Sequence, residues 1–171
     1  MAAVIPPAPG PDSPPPAVAS APEPPEAPRT YVGAYALCLR SGRLLLARLA
    51  PGLTDAGRWT LPGGGLNWGE APAAGVLREL EEETGLAGTI TGLAGVYSRA
   101  YRRTPERPHR PVHHLGIVYT VEARGDALRH EIGGSTDRCA WIPLSDLPAL
   151  PIVPLAAFGV SLLSPQSPES S

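Results

Sequence analysis

The segment between Gly64 and Leu86 holds the residues of this chain whose types and spacing best suit chemistry. It reads GGLNWGEAPAAGVLRELEEETGL. Glu79, Glu82 and Glu83 fall at positions i, i+3 and i+4 of a predicted helix, so their carboxylates share one face. Like charges at this spacing cost ~0.2–0.5 kcal/mol per pair, and the helix dipole disfavours anions in the last turns. Because a hard divalent cation with oxygen ligands would relieve this repulsion, the cluster predicts a metal site.

The helix that positions these acids is predicted to run from Glu70 to Thr84, with Pro72 in its first turn and Gly85 as its stop. Arg78 precedes Glu82 by four residues and is expected to hold that carboxylate in a bidentate pair. Glu79 and Glu83 are expected along the edge of the apolar stripe, so the acids border the core. The stripe consists of Ala73, Val76, Leu77 and Leu80.

The spacing extends over the whole segment: Gly64, five residues, Glu70, seven residues, and then RELEEETGL from Arg78 to Leu86. This pattern resembles a complete Nudix box, the signature of the Nudix hydrolases. The resemblance implies an α/β Nudix fold, a mixed β-sheet sandwiched between α-helices (α/β/α). The competing interpretation is an amphipathic surface helix rich in glutamate, which does not account for every fixed position being filled.

The resemblance also implies an activity. A Nudix pyrophosphohydrolase would cleave the diphosphate linkage of a nucleoside diphosphate derivative by attack of water on phosphorus, with Mg²⁺ or Mn²⁺ as cofactor. Glu79, Glu82, Glu83 and Gly64 match the positions expected to bind the metal. Glu79, Glu82 and Arg78 match catalytic positions of the box, Arg78 being the arginine that orients a carboxylate.

The general base is left open by the sequence. A box glutamate or a glutamate from a later loop would serve, and the candidates are Glu79, Glu131 and Glu122, in that order. Glu131 precedes the glycine-rich segment Gly133-Gly134, which could move over the site. We therefore include Glu131 among the expected catalytic residues.

Three segments are expected along the 171 residues. Residues 1–29 are rich in proline and alanine and predict a disordered leader, residues 30–163 the Nudix domain, and residues 164–171 a flexible tail. Within the domain, Tyr31–Leu39 and Leu44–Leu49 read as a hairpin around Ser41-Gly42. Later segments predict further strands and a closing helix.

Composition restricts the partners. The formal net charge is −2, which does not favour a nucleic acid or an anionic membrane as partner. No secretory signal is evident, and Cys38 and Cys139 read as free thiols in a reducing cytosol, so a cytoplasmic location is expected. The oligomeric state is open, with a homodimer as one option.

Substrate identity is not determined by the box. Tyr101 and Trp68 are candidates for contacting a base, and the arginine-rich loop from Arg102 to Pro111 either steers an anionic substrate or is simply solvated. A zinc site built from His109, His113 and His114 is less favoured than a strand or substrate-contact role.

Three other functions were weighed against hydrolysis. A non-catalytic Nudix-like sensor would bind ADP-ribose or a nucleotide, and a Nudix-fold isomerase would share the fold. Both would be expected to lose box glutamates, which this chain keeps. A purely structural α/β domain would leave the self-repelling glutamates without a reason.

Overall fold

The computed structural model describes residues 27–104 and 110–163. Its elements, in chain order, are β1 (Arg29–Leu37), β2 (Leu39–Arg40), β3 (Arg43–Leu49), β4 (Trp59–Thr60), β5 (Gly63–Gly65), α1 (Pro72–Thr84), β6 (Ala87–Tyr101), β7 (Val112–Arg124), β8 (Thr136–Pro143), a 3-10 helix (Leu144–Ala149) and α2 (Pro154–Ser161). Most of the predicted leader, the predicted tail and His109 lie outside the described residues.

The first sheet has the strand order β5-β1-β7-β6. Strands β1 and β7 are parallel, whereas β5 and β6 run antiparallel to their neighbours, so the sheet is mixed. Strand β1 can occupy a central place because its later residues, from Gly33 to Leu37, form a continuous run that is buried on both faces.

The second sheet is antiparallel and centred on β3, which pairs with β2, β4 and β8. Its apolar run from Leu44 to Ala47 is fully buried, as expected for a strand covered on both faces. A bulge lies beside Leu49, where β3 meets the start of β8.

Two apolar clusters hold the layers together. One includes Tyr35, Leu46, Leu61 and Leu155 and is covered by α2, and the other includes Ala34, Leu45, Val76 and Leu80 and is covered by α1. The helices therefore pack on opposite sides of the sheets, and the predicted α/β/α fold is confirmed. Among the described residues, no helix is long and apolar enough to cross a membrane.

The predicted first hairpin is only partly correct. Only Leu39 and Arg40 fold back on β3 around Ser41-Gly42. The preceding residues, up to Leu37, pair instead with β5 and β7 in the other sheet. A break at Cys38 thus passes the chain from one sheet to the other, so that both sheets share one continuous segment.

Candidate active site

Helix α1 is fixed at both ends by its sequence. Pro72 occupies the first turn, two residues later than the predicted start at Glu70, and Gly85 adopts the left-handed conformation (φ 72°) that ends the helix. The buried face comprises Gly75, Val76, Leu80, Glu83 and Thr84, whereas Ala73 is exposed. The apolar stripe is therefore rotated towards Glu83, which enters the core instead of lying at its edge.

The glycine loop before α1 places its backbone directly against the helix. A Cβ atom on Gly64 would lie 2.8 Å from the Glu79 carboxylate. On Gly63, whose φ is 142°, a Cβ would collide with the carbonyl oxygen of Ala34. Only glycine therefore fits at position 63, and a side chain at position 64 would displace the Glu79 carboxylate, so the loop brings peptide groups within reach of the helix carboxylates.

Arg78 connects three carboxylates. It donates to Glu70 through Nε and Nη2, at 2.8 and 2.9 Å, and through Nη1 to Glu79 at 2.8 Å and Glu82 at 3.0 Å. The bidentate partner is therefore Glu70, whereas we expected Glu82. The guanidinium lowers the pKa of Glu70 to about 2, with help from the backbone amide of Asn67. Arg78 thus fixes the start of the helix and aligns two of the box glutamates.

Glu83 is the most deeply placed of the acids, with 1% of its surface exposed. Its carboxylate accepts hydrogen bonds from the backbone amide of Gly63 at 3.0 Å and from Ser135 Oγ at 3.2 Å. Burial nevertheless raises the pKa of Glu83 to about 8, and the charges of Glu79 and Glu131 add to this effect. Two hydrogen bonds do not offset the desolvation of this charge, so the neutral form of Glu83 is favoured unless a cation lies beside it.

Glu79 and Glu131 complete the group of interacting acids. Burial raises the pKa of Glu79, with Arg78 opposing the shift and Glu82 and Glu131 adding to it. Glu131 itself accepts hydrogen bonds from the backbone amide and Oγ1 of Thr136, at 3.2 and 3.1 Å. The loop therefore brings a fourth acid into the electrostatic environment of the helix, as a catalytic role for Glu131 requires.

The loop that carries Glu131 is attached to the end of α1. The amide of Arg129 donates to the carbonyl of Thr84 at 2.9 Å, and the side chain of Arg129 packs where a Cβ of Gly85 would be. The amide of Cys139 donates to His130 Nδ1 at 3.1 Å. Arg129 and His130, which are both tethered, precede Glu131, and Thr136 at the start of β8 binds its carboxylate. Glu131 is thus held in place.

The carboxylates suit a hard cation in type and charge. Glu79, Glu82 and Glu83 offer oxygen donors. Burial, and to a smaller extent the neighbouring carboxylates, raises the pKa values of Glu79 and Glu83, and a divalent ion would oppose both causes. As the side chains stand in residues 27–104 and 110–163, no group of three or more His, Cys, Asp or Glu is drawn close enough to hold an ion. Arg78 holds Glu79 and Glu82 apart from Glu83, which is held by the glycine loop.

A cavity of about 470 Å³ opens beside Glu83 and the glycine loop. One wall is aromatic: the ring of His114 makes edge contacts with Tyr31 and Tyr35 at centroid distances of 5.1 and 5.6 Å. Tyr35 Oη lies 2.9 Å from His114 Nε2, and burial lowers the pKa of His114, which favours the neutral ring. Such a wall can pack against a flat ring while Glu83 faces the other end of the ligand.

A model of the NUDIX domain matches residues 27–158. The chain belongs to the Nudix family. An RNA pyrophosphohydrolase from Acidiphilium cryptum is 53% identical over 135 residues, covering 72% of this chain and 80% of that protein. A MutT-like protein from Streptomyces ambofaciens is 48% identical over 61 residues, 36% of this chain and 37% of the relative's length. An ADP-ribose pyrophosphatase from Methanocaldococcus jannaschii is 35% identical over 94 residues, 55% of this chain and 51% of the relative.

Solved structures agree with this assignment. A MutT Nudix hydrolase from Burkholderia pseudomallei superimposes with a TM-score of 0.66 at 30% identity, covering 81% of this chain and 100% of that one. A MutT protein from Methanosarcina mazei gives a TM-score of 0.62 at 25% identity, covering 78% and 93%. The predicted family and fold are confirmed.

The structure brings most of the predicted site residues of this Nudix domain together. Arg78 contacts Glu79 and Glu82, Glu79 lies against Gly64, and Glu131 interacts electrostatically with Glu79. Glu122, the third candidate base, is exposed on β7 opposite Thr89. The metal-binding and catalytic roles stay predictions, while the placement makes Glu131 a stronger candidate than Glu122.

Sequence reasoning missed the aromatic wall. The signal was present in YVGAY, because Tyr31, Gly33 and Tyr35 alternate along β1 and so share one face. Their partner His114 lies opposite Tyr31 on the parallel strand β7, a pairing that no local pattern reveals.

Trp68, suggested as a base-stacking residue, is fully exposed at 104% and does not line the cavity. Of the histidines weighed for zinc, His113 is exposed and bonds Ser98.

Proposed function

We propose that this Nudix pyrophosphohydrolase uses Mg²⁺ or Mn²⁺ to cleave the diphosphate linkage of a nucleoside diphosphate derivative by attack of water on phosphorus. The observation that carries the proposal is the burial of Glu83 at the wall of a ligand-sized cavity, with its pKa raised to about 8. A buried acid of this kind, coupled to Glu79 and Glu131, is typical of a site that binds a cation.

The residues that would hold the ion are Glu79, Glu82, Glu83 and the peptide carbonyl of Gly64. When bound, a divalent ion neutralises charge on the diphosphate and makes water a better nucleophile. Arg78 aligns the carboxylates of Glu79 and Glu82 by hydrogen bonds of 2.8 and 3.0 Å. Arg78 therefore orients two of these carboxylates, and Glu79 and Glu82 would have to approach Glu83 when the ion binds.

The proton of the attacking water needs an acceptor. Glu79 is our first candidate, because burial raises its affinity for a proton and it lies beside the glycine loop. Glu131 is the second, since it is held by Thr136 and interacts electrostatically with Glu79 and Glu83. Glu79→Gln and Glu131→Gln distinguish them: loss of the base lowers kcat by about 10²–10⁴-fold and removes the acidic limb of the pH–rate profile.

The substrate class is supported by the cavity. The wall formed by Tyr31, Tyr35 and His114 suits a nucleobase or another flat ring, and the glycine loop and Glu83 line the same cavity. The relatives' names point to two different substrates, RNA and ADP-ribose, and both name hydrolysis of a pyrophosphate group.

The test measures release of phosphate, diphosphate or nucleotide from a panel of ADP-ribose, nucleoside triphosphates, dinucleoside polyphosphates, nucleotide sugars and 5′-triphosphorylated RNA, with and without Mg²⁺ or Mn²⁺. Wild type is compared with Glu82→Gln and with Glu81→Gln. Glu81 is exposed on the same helix and has no predicted role, so its variant is a matched control. We expect Glu82→Gln to lose more than about 100-fold in metal-dependent turnover and Glu81→Gln to retain activity.

A different result would favour the sensor hypothesis. If ADP-ribose or a nucleotide binds in the presence of metal but no member of the panel is turned over, then the domain is a binding module. Equal turnover by Glu82→Gln and wild type would contradict the proposed site itself.

A further inference from the structure

Three neighbouring strands of the mixed sheet, β1, β7 and β6, each have one terminus at the same end of the sheet. We refer to this end, where the termini lie side by side, as the edge. Arg29 at the start of β1 is in register with Val112 at the start of β7, and Val112 is in register with Tyr101 at the end of β6. The amide of Arg29 also donates to the carbonyl of Pro111 at 3.1 Å. Residues that are far apart in sequence are therefore fixed side by side at this edge.

Three arginines lie at this edge and line the cavity: Arg29, Arg102 and Arg110. We call them the arginine edge. All three are exposed, and none forms an ion pair with an acid among residues 27–104 and 110–163. Arg48 and Arg78, by contrast, are held by Asp137 and by the box glutamates. Within the described residues, the guanidinium groups of the arginine edge are therefore not committed to an acid.

The cavity joins the arginine edge to the carboxylates. Gly63, Gly64 and Glu83 line it as well, and the aromatic wall of Tyr31 and His114 lies in the same lining. The acidic groups of the lining are Glu83 and Asp55, and Asp55 is paired with Arg58 at 3.5 Å. One cavity is therefore lined both by the carboxylate of Glu83 and by guanidinium groups that make no ion pair within residues 27–104 and 110–163.

This charge pattern constrains the substrate. A diphosphate held at the carboxylates through a metal, with an uncharged remainder, would leave the arginines unused. Guanidinium groups match phosphate oxygens in geometry and form stronger hydrogen bonds with them than with neutral acceptors. A substrate with a phosphate at each side of the aromatic wall would use both charged parts of the cavity.

We propose that Arg29, Arg102 and Arg110 form a second phosphate subsite, so that the preferred substrate carries a phosphate monoester or diester in addition to the diphosphate that is cleaved. The inference rests on the proposed function, since it concerns the substrate of the same site. The subsite selects among nucleoside diphosphate derivatives and takes no part in the bond that breaks.

Electrostatic steering is the competing explanation of these arginines. Steering favours the more highly charged member of a pair as well, but this preference disappears when salt screens the charges, whereas direct contacts in a subsite keep it. The ratio of kcat/KM within such a matched pair, measured at high ionic strength, therefore separates the two explanations. Being a ratio for one enzyme preparation, it is also insensitive to partial misfolding of a variant.

The experiment uses the full chain with Mg²⁺ or Mn²⁺ and four matched pairs. They are NADH and NADPH, dephospho-coenzyme A and coenzyme A, diadenosine diphosphate and diadenosine tetraphosphate, and GTP and a 5′-triphosphorylated dinucleotide. The last pair tests a phosphodiester and the others test a phosphomonoester or a longer phosphate chain. For each pair, kcat/KM is measured with the wild-type protein. The Kd is measured by calorimetry with the Glu82→Gln variant.

We expect a preference of at least about tenfold for the more phosphorylated member of at least one pair. In the double variant Arg102→Gln/Arg110→Gln, and in the single variant Arg29→Gln, the ratio of the two kcat/KM values falls towards one. Arg124→Gln should leave it unchanged, because Arg124 is an exposed arginine at the opposite end of β7. A preference below about twofold in every pair, or one that survives in the arginine variants, overturns the inference.

Failure of the proposed function gives a different pattern. In that case no pair is turned over with either metal, while the Kd values still report whether the arginine edge recognises the additional phosphate. Turnover without discrimination leaves the hydrolase in place and removes only the subsite.

Discussion

The box carboxylates, of which Glu83 lines the cavity, and the arginine edge are built in opposite ways. The carboxylates of α1 are held by partners, with Arg78 contacting three of them and the glycine loop holding Glu83. The arginine edge is exposed and makes no ion pair within the described residues. Groups that must align a reacting bond are fixed in advance, whereas groups that recognise a remote phosphate can remain solvated until it binds. This difference predicts unequal responses to mutation, pH and salt.

The largest effect is expected from Gly64→Ala. The new Cβ would lie 2.8 Å from the Glu79 carboxylate, which must move away, and a displacement of about 1 Å in a catalytic group can cost about 100-fold in rate. Because the obstacle is the end of a side chain, Tm should change little. Gly92→Ala is the control, since a Cβ on Gly92 meets nothing within 4 Å. Equal kcat in the two variants would contradict this prediction.

Arg78→Lys should have the next largest effect. A lysine cannot reproduce the two-point contact with Glu70 while also reaching Glu79 and Glu82, so we expect kcat/KM to fall by about 10–100-fold. The metal concentration that gives half-maximal activity should rise in parallel. Arg124→Lys serves as control. Activity within about twofold of wild type in Arg78→Lys would show that the network is not needed for alignment.

Glu83 should make stability depend on pH. Its pKa is raised to about 8 in the folded protein from an ordinary value of 4.5, so the folded state binds the proton more tightly than the unfolded state. The contribution of Glu83 to the free energy of unfolding is therefore fully present below pH 4.5, and it is lost as the pH rises from 4.5 through 8. Relative to Glu83→Gln, the free energy of unfolding of metal-free wild type should fall across this range by a few kcal/mol at most.

Added Mg²⁺ should reverse that loss, because it favours the ionised carboxylate. Chemical denaturation of both proteins at pH 5, 6, 7 and 8, with Mg²⁺ or with a chelator, measures the effect. A difference between wild type and Glu83→Gln that does not change with pH would contradict the burial of a titrating charge.

Salt should produce the smallest effect and act mainly on the arginine edge. Raising the NaCl concentration from about 0.05 to about 0.3 M shortens the screening length and weakens exposed charges more than buried ones. We expect KM for a multiply phosphorylated substrate to rise about two- to fivefold, with kcat nearly constant. The same titration with Arg102→Gln/Arg110→Gln should show a weaker dependence on salt.

The part of the site encoded in consecutive residues could be predicted from the sequence. Spacing alone placed Glu79, Glu82 and Glu83 together and Gly85 at the helix end, because helical geometry is local. Burial of Glu83 was not predicted, since the rotation of α1 is set by its contacts with the sheets. Glu70 as the bidentate partner of Arg78 was missed for a similar reason: the bond joins the helix to the turn that precedes it.

The rest of the cavity depends on pairings between distant strands. Tyr31 meets His114, and Arg29 meets Val112, only because β1 and β7 are parallel neighbours. The sequence predicted both segments as strands but not this pairing, and it placed most of the first strand in a hairpin with β3. Parallel strands are joined by long connections, and the connection carries no pattern that names the partner.

The same parallel pairing sets an order of events during folding. Helix α1 and strand β6 lie between β1 and β7 in the chain. Strand β1 can therefore pair with β7 only after the ribosome has synthesised α1 and β6. Contacts of such large sequence separation form slowly, and synthesis proceeds from the N-terminus. A growing chain therefore possesses all the acids of α1 before it possesses the aromatic wall or the arginine edge, so the chemical groups of the Nudix box precede the cavity that would present a substrate to them.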